Sequence, residues 1–386
     1  MQGPLTIIGT GMAGIGLARQ VRALDAHRPI TLISADSGDD YSKPLLSTGF
    51  AKGLAADRLA ARSALELADQ LGAVVRPHTR VDAIDLASRT LSLGQERLPW
   101  SDLVIATGAS PVAPFEIPDA LAGRVFSIND LDDYRRFSAG LEALGRPARV
   151  AIVGLGLVGC EFANDLHAGG HRVCLVGPEP SLLPRLLPRR LGQTLSQAFI
   201  EAGIDVIHGR LVSRLEGAGG DIGVHLDDGH ELEADMVLVA TGLKPRSRLA
   251  REAGIATNGD AIVVDRYLKS SDPRVHALGD VASVDGVNAM YVQPLQASAK
   301  ALAATLCGRP TQVRYGPWPV LVKTPLLPVV ALPPMTDKVH WRIEADGEDI
   351  SALAEDDEGR LQGFALTGKC VRRKVELARA APPLLG

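Results

Sequence analysis

The feature that most restricts how this chain can fold occurs twice. Thr6-Ile7-Ile8-Gly9-Thr10-Gly11-Met12-Ala13-Gly14 is an apolar run ending in Gly-x-Gly-x-x-Gly, and Ile15 to Leu24 then reads as a helix. Arg149 to Gly159 repeats the pattern through Gly154, Gly156 and Gly159, with Cys160 to Gly169 as the helix and Arg172 to Val176 as the next strand. Strand, tight turn and helix in that order hold a dinucleotide pyrophosphate. The first glycine permits the turn, the second lets backbone approach the phosphates, and the third lets helix and strand pack closely. The helix N-terminus adds free N–H groups and a partial positive charge. One such turn alone also fits a corner that binds nothing. Here each turn is followed by its own buried strand ending in Ala-Thr-Gly, at Ala106-Thr107-Gly108 and at Ala240-Thr241-Gly242. That internal repetition implies two dinucleotide-binding domains, hence two nucleotides.

The 386 residues exceed one ordinary core, so two or three domains are expected. A composition of 46% apolar and 22% charged residues is that of a soluble globular protein. The net charge of −4 gives no basic field for nucleic acid or an anionic membrane. No apolar run approaches the roughly 20 residues of a membrane helix. Met1-Gln2-Gly3-Pro4 lacks a basic leader region, so a cytoplasmic protein without a signal peptide is expected. Cys160, Cys174, Cys307 and Cys370 have no Cys-x-x-Cys spacing, which points to reduced thiols and no metal site.

Ile30 to Ser34 reads as the second strand of the first unit. Asp36 follows as a candidate for the adenosine ribose, although Ala35 holds the usual position; the alternative is a loop aspartate opening a turn with Ser37-Gly38. In Tyr41-Ser42-Lys43-Pro44-Leu45-Leu46-Ser47 a lysine interrupts an apolar, Pro-containing loop. Lys43 is either a surface cation or a charge placed near a cofactor that becomes anionic on reduction. The second is favoured because the loop lies one element after the nucleotide turn. Val74-Val75, Val81 to Leu86 and Thr90 to Leu93 read as short strands, and Gly108 with Pro111 and Pro114 marks a boundary. The second unit's strand ends Val176-Gly177-Pro178-Glu179, with no arginine before Arg185, which favours NADH over NADPH with Glu179 at the ribose. Asp280, at the end of the apolar run Val275 to Leu278, suits the ligand crevice of an α/β sheet or a helix N-cap. From about residue 319 prolines punctuate short strands at Val320 to Val322, Val329 to Leu332, Trp341 to Glu344 and Leu361 to Leu366. The basic run Lys369 to Lys374 is either a solvated face or a dock for an acidic partner.

Two glycine turns, two Ala-Thr-Gly strands and Ala277-Leu278-Gly279-Asp280, in this order, resemble the pyridine-nucleotide–disulfide oxidoreductase superfamily over about the first 315 residues. The resemblance implies an α/β protein with two Rossmann-like dinucleotide-binding domains, for FAD and NAD, plus a small mostly-β C-terminal domain. The expected division is 1–112 and 244–318 for FAD, 113–243 for NAD(H) and 319–386 for the C-terminal domain. The disulfide branch needs an early redox cysteine pair, and no cysteine precedes Cys160. Electrons would therefore leave the flavin directly. Tyr41 to Phe50, Cys160 to Leu166 and Val320 to Pro325 are similar to segments of the NADH:rubredoxin reductases, which extends the resemblance over the whole chain. Ferredoxin reductases of oxygenase systems are cousins that carry arginine where Lys43 stands and lysine where Thr48 stands.

The resemblance implies FAD contacts at Gly9, Thr10, Gly11, Met12, Ala13, Gly14, Asp36, Lys43, Val81, Asp280, Val292 and Lys323, with Glu161 beside flavin and nicotinamide. Ser34, Ala106, Thr107, Gly108 and Gly279 complete the expected flavin side, and Gly154, Gly156, Gly159, Glu179 and Gly242 the NADH side. Lys43 and Glu161 are the expected catalytic pair, the carboxylate offsetting the lysine's desolvation. Rubredoxin, an acidic one-electron carrier, is the implied partner, and loss of the long dimerisation domain favours a monomer. The alternatives are a ferredoxin or oxygenase-component reductase, an NADH oxidase, and a non-catalytic NADH-sensing flavoprotein.

Overall fold

The computed structural model describes residues 3–218 and 220–386. Met1 and Gln2, the start of the stretch read for a leader, lie outside the described residues with Gly219. Two five-stranded parallel sheets carry the chain. The first runs Val275–Ala277, Asp102–Ile105, Leu5–Ile8, Ile30–Ile33, Val74–Arg76, and the second Val125–Phe126, Met236–Val239, Arg149–Val153, Arg172–Gly177, Asp205–His208. In both, the strand entering the glycine turn is central, between the Ala-Thr-Gly strand and the next strand in sequence. Those central strands are apolar and buried nearly throughout, because parallel sheets are covered on both faces. Each lobe also carries a three-stranded antiparallel meander, at Ala83–Asp85, Thr90–Leu93, Glu96–Pro99 and at Val212–Ala218, Asp221–Leu226, Glu231–Ala234.

The chain leaves the first sheet after Asp102–Ile105 and returns to it at Val275–Ala277, which pairs with that same strand. The crossing is a two-stranded ladder in which Ala109, Ser110 and Pro111 pair with Pro245, Lys244 and Leu243. Each strand of the ladder directly follows one Ala-Thr-Gly, so the two repeats meet at their equivalent points. The two helices that follow the glycine turns begin earlier than hydrophobic periodicity suggests. Met12–Leu24 and Leu157–Ala168 start at the residue after the second glycine, because a glycine N-cap needs no apolar periodicity to open a helix.

The C-terminal sequence forms an antiparallel sheet ordered Val320–Val322, Val329–Leu332, Leu361–Thr367, Asp349–Glu355, His340–Asp346. The strand Asp349–Glu355, absent from the sequence reading, is one of its most buried. Val329, Ala331, Ala352 and Ala365 join the core of the second lobe, and Val330, Leu353, Phe364 and Leu366 pack under Leu377. No helix among the described residues is long and apolar enough to cross a membrane.

Candidate active site

The two glycine turns have the same construction. Gly9 (φ +118°) and Gly154 (φ +124°) adopt a backbone that side chains resist. A Cβ on Gly9 would stand 2.2 Å from the Ala106 carbonyl oxygen, and one on Gly154 2.4 Å from that of Ala240. A Cβ on Gly14 would meet the Gly9 oxygen at 1.9 Å, and one on Gly159 the Gly154 oxygen at 2.1 Å. These four glycines are fixed by protein packing. Gly11 and Gly156 have nothing within 4 Å of an added Cβ. They are the two that hold space open, where a pyrophosphate would approach the helix N-terminus.

A cleft of about 1400 Å³ runs past the first turn and between the lobes. Its wall includes Gly9, Thr10, Gly11, Met12 and Ala13, then Ser34, Asp36 and Val81, and the turn Ala106-Thr107-Gly108. Lys43, Glu161, Asp280, Val292 and Lys323 also face it. Gly14 and Gly279 stand behind the wall; Gly279 lets Ala13 approach, since its Cβ would lie 2.8 Å from that of Ala13. Gly154, Gly156, Gly159, Glu179 and Gly242 are not on this wall, and the second lobe reaches it through Leu157, Val158, Glu161, Phe162 and Leu243.

At the far end Asp36 accepts from Ser34 Oγ, from the Gly38 amide at 2.9 Å and from Thr10 Oγ1 at 3.4 Å. The turn role and the wall position therefore coexist. Asp280 is inside the single turn Gly279–Val281 rather than capping it, which corrects the N-cap reading; Leu278 holds the cap position. Burial raises the Asp280 carboxyl above its ordinary range, opposed by Lys43. Val292 opens the helix Val292–Leu306, whose first N–H groups are free of helical partners. In the second lobe, Glu179 Oε2 is buried with no hydrogen-bond partner among the described residues. An orphaned acceptor beside the end of Arg172–Gly177 suits a ribose hydroxyl and opposes a phosphate.

Glu161, Asn164 and Asp165 form one polar row on the helix Leu157–Ala168, and all three are buried. Asp165 takes the amides of Phe50 and Ala51, and Asn164 that of Leu326. Glu161 Oε2 accepts from Ser47 Oγ at 2.8 Å and pairs with Lys323 Nζ at 2.6 Å, while Oε1 accepts the Lys323 amide at 3.1 Å. Lys323 Nζ also donates to the Pro44 carbonyl at 2.6 Å. The expected Lys43–Glu161 pairing is therefore corrected: Lys323 occupies that carboxylate, and Lys43 Nζ donates to Asn129 Oδ1 at 2.6 Å. Burial lowers the Lys43 ammonium from its ordinary value, against support from Asp280. The sequence gives Ser47 no role beyond its place in the Tyr41 to Ser47 loop, and no motif singles out Asn129. Its one local signal is the capping pattern Asp130-x-x-Asp133 that follows.

The sequence model for pyridine nucleotide-disulphide oxidoreductases matches residues 4–303. The chain belongs to that family. A second model, the rubredoxin binding C-terminal domain, matches residues 312–381. The chain is 42% identical over 384 residues to the rubredoxin-NAD(+) reductase of Alcanivorax borkumensis, covering 99% of each. It is 36% identical over 379 residues to the nitric oxide reductase FlRd-NAD(+) reductase of Vibrio vulnificus, covering 98% of each. Among solved structures, a ferredoxin reductase from Rhodopseudomonas palustris superposes with a TM-score of 0.86 at 24% identity, over 98% of this chain and 95% of that one. Family membership implies a pyridine nucleotide and a flavin for this chain. Its four cysteines are all free, Cys160 is fully buried with burial pushing its thiol upward, and no cysteine among the described residues lines the cleft.

Proposed function

We propose that this protein is an FAD-dependent rubredoxin–NAD+ reductase, taking hydride from NADH and passing single electrons to rubredoxin. The observation that carries the reading is that three segments wall one cleft: the first glycine turn, the helix after the second, and Val320 to Lys323 from the rubredoxin-binding match. Bound FAD would supply the exchange between a two-electron donor and a one-electron acceptor. In this reading Gly11 and the amides at Met12 and Ala13 bind its pyrophosphate, Asp36 its ribose, and Asp280 a ribityl hydroxyl. Lys43 favours the negative charge that reduction brings. Gly156 and the amides at Leu157 and Val158 bind the NADH pyrophosphate, with Glu179 at the adenosine ribose. The Glu161–Lys323–Ser47 knot holds the helix Leu157–Ala168, the segment Val320 to Lys323 and the turn Lys43–Ser47 in register, as two stacked rings about 3–3.5 Å apart require. We propose the division 1–112 with 244–318, 113–243 and 319–386 on the same grounds.

A second acceptor has support from the Vibrio vulnificus relative, whose name specifies FlRd. Anaerobic mixing of yellow holoprotein with NADH, then with rubredoxin, FlRd or ferredoxin, separates these readings. Rubredoxin is expected to reoxidise the flavin fastest. Protein that neither retains nor takes up FAD would end the proposal.

A further inference from the structure

Three lysines line the cleft; Lys244 pairs with the partly exposed Asp260, and the chain treats the other two differently. Lys323 is matched by a buried carboxylate, Glu161. Lys43 is met by a neutral amide, Asn129 Oδ1, at 2.6 Å. Asn129 is itself buried and doubly anchored: its Nδ2 donates to the Ala109 carbonyl at 3.0 Å, and its backbone amide to Asp133 Oδ2 at 3.0 Å. With Nδ2 committed to a carbonyl, the amide can turn only Oδ1 toward the ammonium.

We propose that Asn129 is a positioning residue for flavin reduction, replacing water around the Lys43 ammonium and aiming it into the cleft with its positive charge intact. A buried ammonium without a hydrogen-bond acceptor tends to lose its proton. A carboxylate at 129 would prevent that and also cancel the field. An amide satisfies the donor and leaves the charge to act on the cleft. The other charged groups facing Lys43 are Asp280, Asp130 and Asp133, which favour its protonation, and Arg246, which opposes it. Asn129 comes from the stretch that opens the helix Leu131–Ala143, whereas Lys43 lies in the loop after the first nucleotide turn. The contact thus ties the cation's aim to how the two lobes meet. This inference rests on the flavin reading above.

The test is the flavin midpoint potential measured against pH in holoprotein, for the natural chain, Asn129→Ala, Asn129→Asp and Lys43→Met. FAD content is read first: a natural chain that binds no FAD defeats the function reading, not this inference. With FAD bound, the natural chain should show an alkaline break that Lys43→Met removes. Asn129→Ala should bring the break down by about one pH unit, a tenfold loss of proton affinity. Asn129→Asp should raise the break by a similar amount and lower the potential at neutral pH. A merely structural role moves both variants the same way. That outcome, or a break that neither variant moves, overturns the proposal, and Asn129→Asp alone decides it if the alanine variant does not fold.

Discussion

Glu161 shows what one buried acid demands of its surroundings. It is 6% exposed on a helix, so an unmatched charge there would be costly, and a lysine 279 positions from Pro44 is brought in to meet it. Lys323→Met should therefore lower unfolding stability by about 2 kcal/mol, less than for a fully buried pair because the lysine keeps some water contact. Adding Glu161→Gln should restore much of that loss, read by denaturant titration; a double variant worse than the single would contradict the argument. His276 makes a separate claim. It is buried on the strand Val275–Ala277, and Nδ1 has no partner among the described residues. Burial lowers its pKa from 6.5 to about 4, with Asp102 and Asp265 opposing and Lys269 and Arg28 assisting. Between those values the unfolded chain binds the proton and the folded chain refuses it. The stability contribution is full above pH 6.5 and is lost as pH falls through 4. From pH 7 to pH 5 the loss should be about 2 kcal/mol. His276→Leu should flatten that part of the curve, and an unchanged slope would refute it.

At the scale of the turn and its helix, the second and third glycines of one motif should behave as opposites. Gly156→Glu adds a carboxylate where nothing lies within 4 Å, so folding and FAD content should survive. NADH should then fail to reduce the flavin while dithionite still does. Gly159→Val drives a side chain into the Gly154 carbonyl and should cost about 3 kcal/mol or more. Flavin loss in Gly156→Glu would contradict the assignment of that turn. The contrast also explains what was legible in the sequence. Both glycine turns and their Ala-Thr-Gly strands were readable because close packing leaves no other residue possible at Gly9, Gly14, Gly154 and Gly159. The strand Asp349–Glu355 was not, because Ile350, Ala352 and Ala354 are small or isolated apolar positions whose burial comes from neighbouring strands. The partner of Glu161 was not readable either. The sequence reading paired it with Lys43, and the choice of Lys323 is made by how the C-terminal sheet docks on the helix Leu157–Ala168.

At the scale of the whole molecule, the proposed function puts the electron exit at the C-terminal sheet, which the rubredoxin-binding match covers. Its edge strand Val320–Val322 borders the cleft, and Leu321 is exposed there. The basic turn Gly368–Arg373 instead packs mainly with the strands Asp349–Glu355 and Leu361–Thr367, and more lightly with Val329–Leu332. The two main ones lie three and two places along the sheet from the edge strand, so roughly 10–14 Å away at the usual strand spacing. Part of this basic run is also structural, since Arg373 donates to Ser351 Oγ at 3.1 Å and Lys369 pairs with Asp349 at 3.0 Å. The two cations at its end, Arg372 and Lys374, are therefore better suited to attracting an acidic carrier than to receiving its iron. Reversing both to glutamate should raise the KM for rubredoxin about tenfold at low ionic strength, with the difference shrinking at 0.5 M salt as screening takes over (about 0.5 M being several times physiological). The kcat with rubredoxin, and all turnover with ferricyanide, should stay unchanged. A fall in kcat at unchanged KM would instead put the carrier's iron against the tail and move the exit away from the Val320–Val322 edge.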